Sequence, residues 1–541
     1  MKNPQYPLYE HTPVYTVKEL LAFCTRKYGT KPAFRYAAHK SDIEVSFVQF
    51  KNDVEALGTD LFQKGFKNTH IAVFGENSYE WILAHFAVTC GKNVSVPIDK
   101  ELEAEDIAGL LRDSDCNALF FSDTYEDIVQ KLQTMNLGIA FFSMKQIPAM
   151  IENGKKLISG GDREYIDITV DKNDLASIVY TSGTTGKPKG VMLTHNNFCS
   201  CMYGASCNAW LTGSSLLILP LHHTFGLVAS VYAEMFYGCP IYINRSLKRL
   251  LDDFGKCKPQ HLLAVPLVVE MLYKNIWIAA KKQGKEKMLK KLIKISDALL
   301  KCKIDLRKRL FSSALAALGG NLGMIVSGGA PIDEKHIKFF NSLGITVLNG
   351  YGITECGPIV SVHRDKYQIP GSAGVPLCCN KVKIADNGEI LVKGDSVMRG
   401  YYHNDEENRK AFVDGWFRTG DIGFFDEYGE LHITGRIKNL IILGNGENIP
   451  AEAVESEIYK IPYVKECIVY GEKNIIVAEI YLNEETADAK ERIESDIKAL
   501  NHILPQARNI GKIIVRDTEF PKTTTKKIKR DYGRTLHCLK N

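Results

Sequence analysis

The sequence predicts an α/β fold with a large N-terminal domain and a smaller α+β C-terminal domain. Apolar runs rich in β-branched residues alternate with helix-like stretches, first in "HIAVFG", "NSYEWILAHFAVTC" and "NVSVPID" at 70–99, which together predict a βαβ unit. Near residue 380 the pattern changes to short strands and turns. Beyond about residue 438 it becomes mixed again, with the helical "AEAVESEIYK" followed by the strand-like "ECIVYG" and "IIVAEIYL".

The large domain is expected to hold two stacked α/β lobes and a small β-rich subdomain. A second alternating series runs from "SLLILPL" through "GLVASVYAEMFYG", "PIYIN", "HLLAVP" and "GMIVSGG" to "TVLNGYG". The segments "KVKIADNGEILVKG" and "GWFRTGDIGFFDEYGELHITG" predict the β-rich part. We place the domain boundary between Arg436 and Asn439, which gives an N-terminal domain of residues 1–437 and a C-terminal domain of residues 438–541.

Composition excludes several classes of protein. Of 541 residues, 45% are apolar and 24% charged, which is ordinary for a globular protein, and a net charge of +5 gives no case for nucleic acid binding. No apolar run approaches the ~18 residues of a membrane-spanning helix, and no secretory signal is visible. The fourteen cysteines form no CxxC pair, so we expect reduced thiols and a cytoplasmic location.

The stretch "YTSGTTGKPKG" (180–190) combines hydroxyls, glycines and lysines with no aliphatic side chain. It follows the strand-like "LASIVY" and precedes "VMLTHNNFCSCMYG", which predicts a strand end leading into a helix. Such a loop can offer N–H groups, hydroxyls and ammonium charges to one anion. It is not a Walker loop, because GxxxxGK(S/T) would need glycine at Thr181 and Ser or Thr at Pro188. Phosphate binding and a flexible surface turn are the two interpretations.

Three later motifs could complete a nucleotide site. "LNGYGITECGP" (348–358) puts Glu355 at the end of a predicted strand, where a carboxylate could hold Mg²⁺, although most glutamates are simply solvated. "GWFRTGD" ends at Asp421, which could accept hydrogen bonds from ribose hydroxyls, with Arg436 as a charged donor; a surface turn or salt bridge is the alternative. "PKTTTKKIKR" is a basic, hydroxyl-rich loop or, on charge alone, a solvated tail.

These motifs, in this order and at these separations, carry a specific resemblance. "YTSGTTGKPKG", "GYGITE", "FRTGD", "GRIKN" and "PKTTTKKI" together resemble the adenylate-forming superfamily of acyl-CoA synthetases, firefly luciferase and nonribosomal peptide adenylation domains. The chain is most similar to the fatty-acyl-CoA ligases, from about residue 15 to 533. The resemblance implies an AMP-forming acid–thiol ligase that uses ATP, Mg²⁺ and coenzyme A, with a mobile C-terminal domain.

The resemblance also implies a nucleotide site position by position. Thr354 would touch the α-phosphate, Glu355 and Thr181 would serve Mg²⁺, and Asp421 and Arg436 would contact the ribose. The residues implied to wrap the β- and γ-phosphates are Thr181, Ser182, Gly183, Thr184, Thr185, Gly186 and Lys189. The residues implied to wall the adenine pocket are Gly328, Gly329, Ala330, Asn349, Gly350, Gly352 and Tyr351, which would stack on the base.

The last motif resembles the one that supplies a catalytic lysine, here Lys527, implied to bridge the substrate carboxylate and the α-phosphate. An ammonium group between two anions offsets a repulsion that grows as they approach. The glycine that usually precedes this lysine is replaced by Lys526, so which lysine acts is an open alternative. Lys438 lies at the implied hinge, about which the C-terminal domain would turn to bring "GNGENI" (444–449) to the site for thiol attack.

The stretch "LHHTFG" (221–226) limits which class of carboxylic acid we expect as the substrate. Amino-acid-activating relatives carry an aspartate here, and its absence favours an acid without an α-amino group, such as a fatty acid. His223 and Phe225 resemble an ATP-side gate and an acyl-pocket wall, although a neutral His223 could simply cap a buried turn. An acyl carrier protein in place of coenzyme A, a luciferase-like oxidation, and an adenylate sensor without turnover are the rival functions.

Residues 274–309 carry thirteen Lys or Arg against three acids. Apolar residues fall near one helical face of this segment, namely Leu289, Leu292, Ile293, Leu299 and Leu300. A solvated helix packed on the second lobe is one interpretation. The other is a docking surface for an anionic membrane or an acidic carrier protein, which would make the enzyme membrane-peripheral.

Overall fold

The structure is a computed structural model that describes residues 6–38, 41–181, 188–443, 447–483, 488–522 and 528–530. By their mutual contacts, the described residues divide into two compact units. The first lies within Met1–Val382, Val392–Phe417 and Glu427–Leu431. The second lies within Lys383–Leu391, Arg418–Asp426 and His432–Asn541.

Helices and strands alternate along most of the described chain. Up to residue 181 they are α1 (Val17–Tyr28), β1 (Pro32–Ala37), β2 (Asp42–Ser46), α2 (Phe47–Gln63), β3 (His70–Phe74), α3 (Tyr79–Cys90), β4 (Val94–Ile98), α4 (Ala104–Asp113), β5 (Cys116–Phe121), α5 (Glu126–Thr134), β6 (Ala140–Ser143), α6 (Ile147–Ser159), α7 (Glu164–Asp167) and β7 (Leu175–Thr181). From residue 188 to 376 they are β8 (Lys189–Thr194), α8 (His195–Asn208), β9 (Ser215–Leu217), α9 (Thr224–Leu227), α10 (Ala233–Tyr237), β10 (Ile241–Ile243), α11 (Leu250–Cys257), β11 (His261–Ala264), α12 (Pro266–Lys282), α13 (Glu286–Lys301), α14 (Arg307–Leu310), α15 (Ser312–Ala316), β12 (Met324–Ser327), α16 (Glu334–Leu343), β13 (Thr346–Tyr351), β14 (Ser361–Val362) and β15 (Val375–Pro376). Beyond residue 380 they are β16 (Asn380–Ile384), β17 (Glu389–Gly394), β18 (Gly400–Tyr401), α17 (Asp405–Ala411), β19 (Phe412–Val413), β20 (Trp416–Phe425), β21 (Leu431–Arg436), β22 (Leu440–Ile442), β23 (Asn448–Pro450), α18 (Ala451–Ile458), β24 (Val464–Glu472), β25 (Ile475–Leu482), α19 (Ala489–Asn501) and β26 (Ile510–Arg516).

A seven-stranded sheet forms the first lobe, in the order β18-β8-β7-β4-β3-β5-β6. Strand β3 pairs in parallel with β4 and β5, so the predicted βαβ unit is confirmed. Helix α3 begins after Ser78, whose side chain accepts a hydrogen bond from the Trp81 N–H and so caps an otherwise unpaired donor. The central strands are almost wholly buried, which explains their continuous apolar sequence.

A nine-stranded sheet forms the second lobe, in the order β15-β14-β13-β12-β11-β9-β10-β1-β2. Strands β9 to β13 pair in parallel, as the second alternating series predicts. The sequence did not reveal that β1 and β2, from the N-terminal region, extend this sheet through a parallel pairing of β1 with β10. A cluster of buried apolar residues that includes Leu289 packs under α12, α13 and α16, so helix α13 does pack on this lobe.

The segment from β16 to β21 forms a five-stranded sheet in the order β16-β17-β20-β19, with β21 also paired to β20. The C-terminal region has a three-stranded sheet, β24-β25-β26, and Val454 of α18 and Ile493 of α19 are buried in its apolar core. The α/β class, the β-rich part and the α+β C-terminal part are therefore as predicted. Among the described residues, no helix is both long enough and apolar enough to cross a membrane.

Candidate functional site

The predicted phosphate loop connects two paired strands. Thr181 ends β7, Lys189 begins β8, and the two residues face each other across the antiparallel ladder. Both side chains are half-buried. The ladder therefore fixes the two ends of the loop next to each other, at one end of the paired strands β7 and β8. The residues predicted to wrap phosphate between these ends lie outside the described residues: Ser182, Gly183, Thr184, Thr185 and Gly186.

Lys189 is held by two groups from the region of strand β18. Its ammonium nitrogen forms an ion pair with Glu407, in which the lysine side chain is 11% exposed. The same nitrogen lies 5.1 Å from the centre of the Tyr401 ring. The ammonium groups of Lys189 and Lys410 hold the pKa of the Glu407 carboxyl below its ordinary value. Because the Lys189 ammonium has three N–H donors, an incoming anion could bind beside Glu407 or replace it.

Glu355 lies in a short turn directly after β13. Residues Thr354–Cys356 form a single 3₁₀ turn, and Glu355 Oε1 accepts a 2.9 Å hydrogen bond from the Tyr401 hydroxyl. Among the described residues, none donates a hydrogen bond to Oε2, which leaves an oxygen of the kind that Mg²⁺ prefers. Gly352 has to be glycine, because a Cβ there would lie 1.8 Å from the Pro358 carbonyl oxygen. Both Thr354 and Glu355 are half-buried and remain accessible to a ligand.

The two predicted walls of the adenine pocket lie on adjacent strands. Asn349, Gly350 and Tyr351 end β13, while Gly328, Gly329 and Ala330 directly follow β12. A Cβ at Gly328 would come within 3.2 Å of the Phe225 ring and 3.6 Å of the Gly350 carbonyl oxygen. The structure therefore brings Phe225, Gly328 and Gly350 together.

A buried polar chain positions the end of β13. The Asn349 N–H donates to His363 Nδ1 (3.0 Å), and His363 Nε2–H donates to Ser372 Oγ (2.8 Å). Ser372 in turn donates to Glu430 Oε2. The Asn349 side-chain amide also donates to the Ser372 carbonyl (2.7 Å). Because all the donors point the same way, the chain fixes the histidine tautomer and the position of Asn349.

His223 lies at the start of α9, where its half-buried ring is 4.1 Å from that of His222. Burial and the neighbouring His223 lower the pKa of His222 to about 3, so this imidazole is neutral at physiological pH. His222 Nε2 lies 3.4 Å from Asp99 Oδ1. The stretch 221–226 alone does not reveal this carboxylate, which directly follows β4.

Asp421 and Arg436 form an ion pair in the second unit. Arg436 Nε lies 2.7 Å from Asp421 Oδ1, and the aspartate side chain is 3% exposed while the arginine is 47% exposed. Lys438 is exposed and lies in the 3₁₀ turn Ile437–Asn439 that follows β21. Lys526, Lys527 and positions 444–446 of "GNGENI" lie outside the described residues.

The sequence motifs did not single out a buried His–Glu pair in the second lobe. His261 Nε2 is 2.7 Å from each carboxylate oxygen of Glu234, and its Nδ1 is 3.1 Å from the Thr212 carbonyl. Although burial disfavours the imidazolium, the Glu234 carboxylate raises the pKa of His261 above its ordinary value. Because both ring nitrogens face acceptors, the pair is an internal ion pair that joins α10 to β11.

Comparison with known families gives one match that spans most of the chain. The family model described as AMP-binding enzyme matches residues 22–402. A long-chain-fatty-acid–CoA ligase, FadD15 of Mycobacterium bovis, is 29% identical over 544 residues, which cover 90% of each protein. The 2-succinylbenzoate–CoA ligase of Listeria monocytogenes is 30% identical over 91% of this chain and 95% of its own length. A long-chain-fatty-acid–[acyl-carrier-protein] ligase of Arabidopsis thaliana, AEE15, is 26% identical over 95% of this chain and 84% of its own.

Solved structures share the fold over almost the whole chain. The o-succinylbenzoate CoA synthetase of Bacillus subtilis, in complex with its acyl-adenylate intermediate, has a TM-score of 0.76 at 22% identity and covers 98% of this chain and 99% of its own. The same enzyme in complex with ATP and magnesium ion has a TM-score of 0.74 at 22% identity, covering 95% of this chain and 98% of its own.

Proposed function

Because the chain belongs to the AMP-binding enzyme family and is an AMP-forming acid–thiol ligase, we propose that it joins a fatty acid to coenzyme A. In the first half-reaction the acid carboxylate attacks the α-phosphorus of ATP, which releases pyrophosphate and forms an acyl-adenylate. In the second, a thiol attacks the acyl carbon and AMP leaves. The division into domains 1–437 and 438–541, with a hinge at Lys438, is part of this proposal.

The proposal depends on one observation, which is that Glu355 and Lys189 both contact Tyr401. Tyr401 donates its hydroxyl to Glu355 and presents its ring to the Lys189 ammonium. A carboxylate that suits a hard cation and an ammonium that suits a phosphate thus both contact one side chain, next to the predicted phosphate loop. This combination is what binding of a metal–triphosphate requires.

Each of these residues would bind a different part of the metal–nucleotide complex. Lys189 would exchange Glu407 for a phosphate oxygen, and Glu355, with the Thr181 hydroxyl, would hold the cation. When bound, Mg²⁺ neutralises phosphate charge and so lowers the cost of pyrophosphate departure. The buried chain through His363 would keep Asn349 in place for the adenine, and Tyr351 would stack on the base. Thr354 would contact the α-phosphate.

The attacking carboxylate and the α-phosphate repel each other, and Lys527 is proposed to lie between them in the transition state. Replacement of Lys527 by alanine should slow acyl-adenylate formation about a hundredfold or more. Lys526→Ala is the matched control, because it removes the same charge one position earlier. Equal losses in the two variants would contradict the assignment of Lys527.

If the C-terminal domain rotates between the two half-reactions, Lys527 should be needed for the first and not for the second. Lys527→Ala should react almost normally with coenzyme A when the acyl-adenylate is supplied, because the C-terminal domain would by then have withdrawn this lysine. The measurement is single-turnover thioester formation from synthetic acyl-adenylate. Equal impairment of both half-reactions would argue against rotation about Lys438.

An apolar acid is favoured by the surroundings of Phe225. This ring packs against a small cluster whose buried members are Leu219, Ala229 and Leu263. The stretch 221–226 offers no carboxylate for an α-ammonium group. His223, at the start of α9, would act as the gate between the ATP side and the acyl side.

A substrate panel tests the choice of acid and acceptor. Pyrophosphate release should be greatest with unbranched fatty acids and weak with 2-succinylbenzoate or amino acids. Coenzyme A and a holo acyl carrier protein, offered together, should give mainly acyl-CoA. A preference for an amino acid would overturn the proposed substrate, and a preference for the carrier protein would replace the proposed acceptor with the alternative one.

The outward face of helix α13 supports docking to an anionic membrane. Of the thirteen Lys or Arg in 274–309, three pair with acids, namely Lys274, Lys290 and Arg307, which leaves ten that form no ion pair within the described chain. Lys287, Lys291 and Lys294 are exposed on the side of α13 opposite its buried Leu289. Met288 and Ile295, 51% and 39% exposed, lie on the same outward side of the helix, next to these lysines. Cations beside exposed apolar side chains suit a lipid surface better than an acidic protein.

Vesicle sedimentation tests this surface. Wild-type protein should bind vesicles containing phosphatidylglycerol, lose that binding at high salt, and ignore pure phosphatidylcholine vesicles. Lys287→Glu/Lys291→Glu should release the protein. Lys490→Glu/Lys498→Glu, which makes the same charge change on the exposed side of α19, should not. Equal binding by both variants, or salt-sensitive capture of an acyl carrier protein in place of vesicles, would reject the membrane as the partner.

A further inference from the structure

Tyr401 is a rigidly held tyrosine that the sequence motifs did not single out. It forms the short edge strand β18, which pairs with β8 directly after Lys189. The side chain of Asn408 clamps its backbone, because Asn408 Oδ1 accepts from the Tyr401 N–H (2.6 Å) and Asn408 Nδ2 donates to the Tyr401 carbonyl (2.9 Å). The Tyr402 N–H donates to the Gly190 carbonyl (2.8 Å) and fixes the next residue too. These bonds fix the backbone of Tyr401, and burial of the residue, which is 7% exposed, packs its ring in place.

The Tyr401 side chain contacts one group through its hydroxyl and another through the face of its ring. The hydroxyl donates to Glu355 Oε1 over 2.9 Å, which links residues 46 positions apart. The Lys189 ammonium lies 5.1 Å from the ring centre. The phenol is the donor in this hydrogen bond, because an ionised carboxylate oxygen can only accept. One side chain thus touches both groups that the proposed function assigns to the metal–triphosphate.

We propose that Tyr401 is a positioning residue that holds the Glu355 carboxylate by one oxygen and so presents the other oxygen to the cation of the bound nucleotide. This inference rests on the proposed function. A carboxylate on a glutamate side chain can rotate, and each rotamer frozen on binding costs free energy. A hydrogen bond from a fixed phenol removes part of that cost in advance. Because the donor is neutral, it orients the carboxylate without neutralising the charge that attracts the cation.

The neighbouring tyrosine provides a matched control. Tyr402 also donates its hydroxyl to a carboxylate, Asp115 Oδ2, at 2.8 Å, but on the exposed side and away from Glu355. Tyr401→Phe and Tyr402→Phe therefore each remove one phenol–carboxylate hydrogen bond and leave a ring in place. In Tyr401→Phe the remaining ring would still face Lys189, so this variant isolates the contact with Glu355.

Binding of Mn²⁺ gives a readout that does not depend on turnover. The metal is titrated into full-length protein saturated with the α,β-methylene analogue of ATP, and bound Mn²⁺ is followed by electron paramagnetic resonance. Tyr401→Phe should weaken metal binding about tenfold, the usual size of a lost hydrogen bond to a charged group. Tyr402→Phe should match wild type. Equal metal binding by the two variants would overturn the inference.

A double-mutant cycle tests whether Tyr401 acts through Glu355. Once Glu355→Gln has removed the carboxylate, the further change Tyr401→Phe should cost nothing more. Additive losses would show that Tyr401 acts by some other route and would overturn its positioning role. Thermal unfolding of each variant checks that the fold is kept. If the wild-type protein releases no pyrophosphate with any acid, the proposed function fails, while the metal titration still decides whether Tyr401 positions Glu355.

Discussion

Arg436 Nε lies 2.7 Å from Asp421 Oδ1, so the carboxylate predicted to bind ribose is already fixed by a cation. The Asp421 N–H donates to Thr419 Oγ1 at 3.0 Å and fixes the backbone beneath it. The aspartate side chain is almost fully buried, whereas the arginine is half exposed. A buried carboxylate held in one orientation suits two adjacent hydroxyl donors of a ribose ring.

Asp421→Asn should therefore weaken binding of a non-hydrolysable ATP analogue about tenfold, because a charged acceptor is replaced by a neutral one. Isothermal titration calorimetry on the full-length protein measures this change. Glu472→Gln is the control, since Glu472 forms an exposed ion pair with Lys512 in the same unit. Unchanged affinity in Asp421→Asn would remove Asp421 from the nucleotide site.

Gly352→Ala should destabilise the turn that carries Glu355. A Cβ at Gly352 would overlap the Pro358 carbonyl oxygen at 1.8 Å, and backbone atoms cannot move aside cheaply. We expect a loss of roughly 1–3 kcal/mol in the free energy of unfolding, as overpacking usually costs, together with weaker nucleotide binding. Gly109→Ala in α4, where an added Cβ would meet no atom within 4 Å, should be neutral or slightly stabilising. Similar stabilities for the two variants would contradict this explanation.

Ser372→Ala should break the buried chain that positions Asn349. The change removes the hydroxyl that bonds to the buried Glu430 carboxylate and to His363 Nε2, which should cost about 1–3 kcal/mol in the free energy of unfolding. Urea denaturation measures the loss. Ser200→Ala is the control, because the hydrogen bond of the Ser200 hydroxyl within the described part of the chain is a long one, 3.4 Å to the Asn197 carbonyl. A full loss of stability in the control, or none in Ser372→Ala, would contradict the role of the chain.

The stability of the protein should depend on the His261–Glu234 pair below and near neutral pH. Because Glu234 raises the folded-state pKa of His261, the contribution of the pair is complete below the unfolded pKa of about 6.5 and is lost as the pH rises through the folded pKa. Denaturation across this interval should show a falling free energy of unfolding in wild type.

Glu234→Gln should remove that pH dependence and lower stability by about 3–5 kcal/mol at the acidic end of the interval. The control is Asp115→Asn at the exposed pair with His403, where the loss should stay below about 1 kcal/mol. Parallel pH profiles for wild type and Glu234→Gln would show that His261 is not charged in the folded protein.

The sequence predicts what is local along the chain. Thr181, Lys189 and Glu355 could be found because hydroxyls, lysines, glycines and a carboxylate gather next to strand-like runs, and the structure puts those runs in strands β7, β8 and β13. The pairing of Asp421 with Arg436 follows from their positions on neighbouring strands of one sheet.

Contacts between distant segments could not be predicted in the same way. Tyr401 meets Glu355 only because β18 joins the edge of the first sheet, and nothing near Tyr401 in the sequence signals that pairing. His363 and Glu430 meet through Ser372, and Asp99, which follows β4, lies near His222, which precedes α9. In each case the partner is set by how distant segments pack, which local residue patterns do not encode.

Acid-dependent release of pyrophosphate from ATP, measured without any thiol, decides whether this chain activates carboxylic acids as adenylates. Full-length protein with Mg²⁺, ATP and a fatty acid should release one pyrophosphate for each acyl-adenylate formed, and omission of the acid should stop the release. Formation of ADP and orthophosphate, or pyrophosphate release that does not depend on the acid, would contradict it.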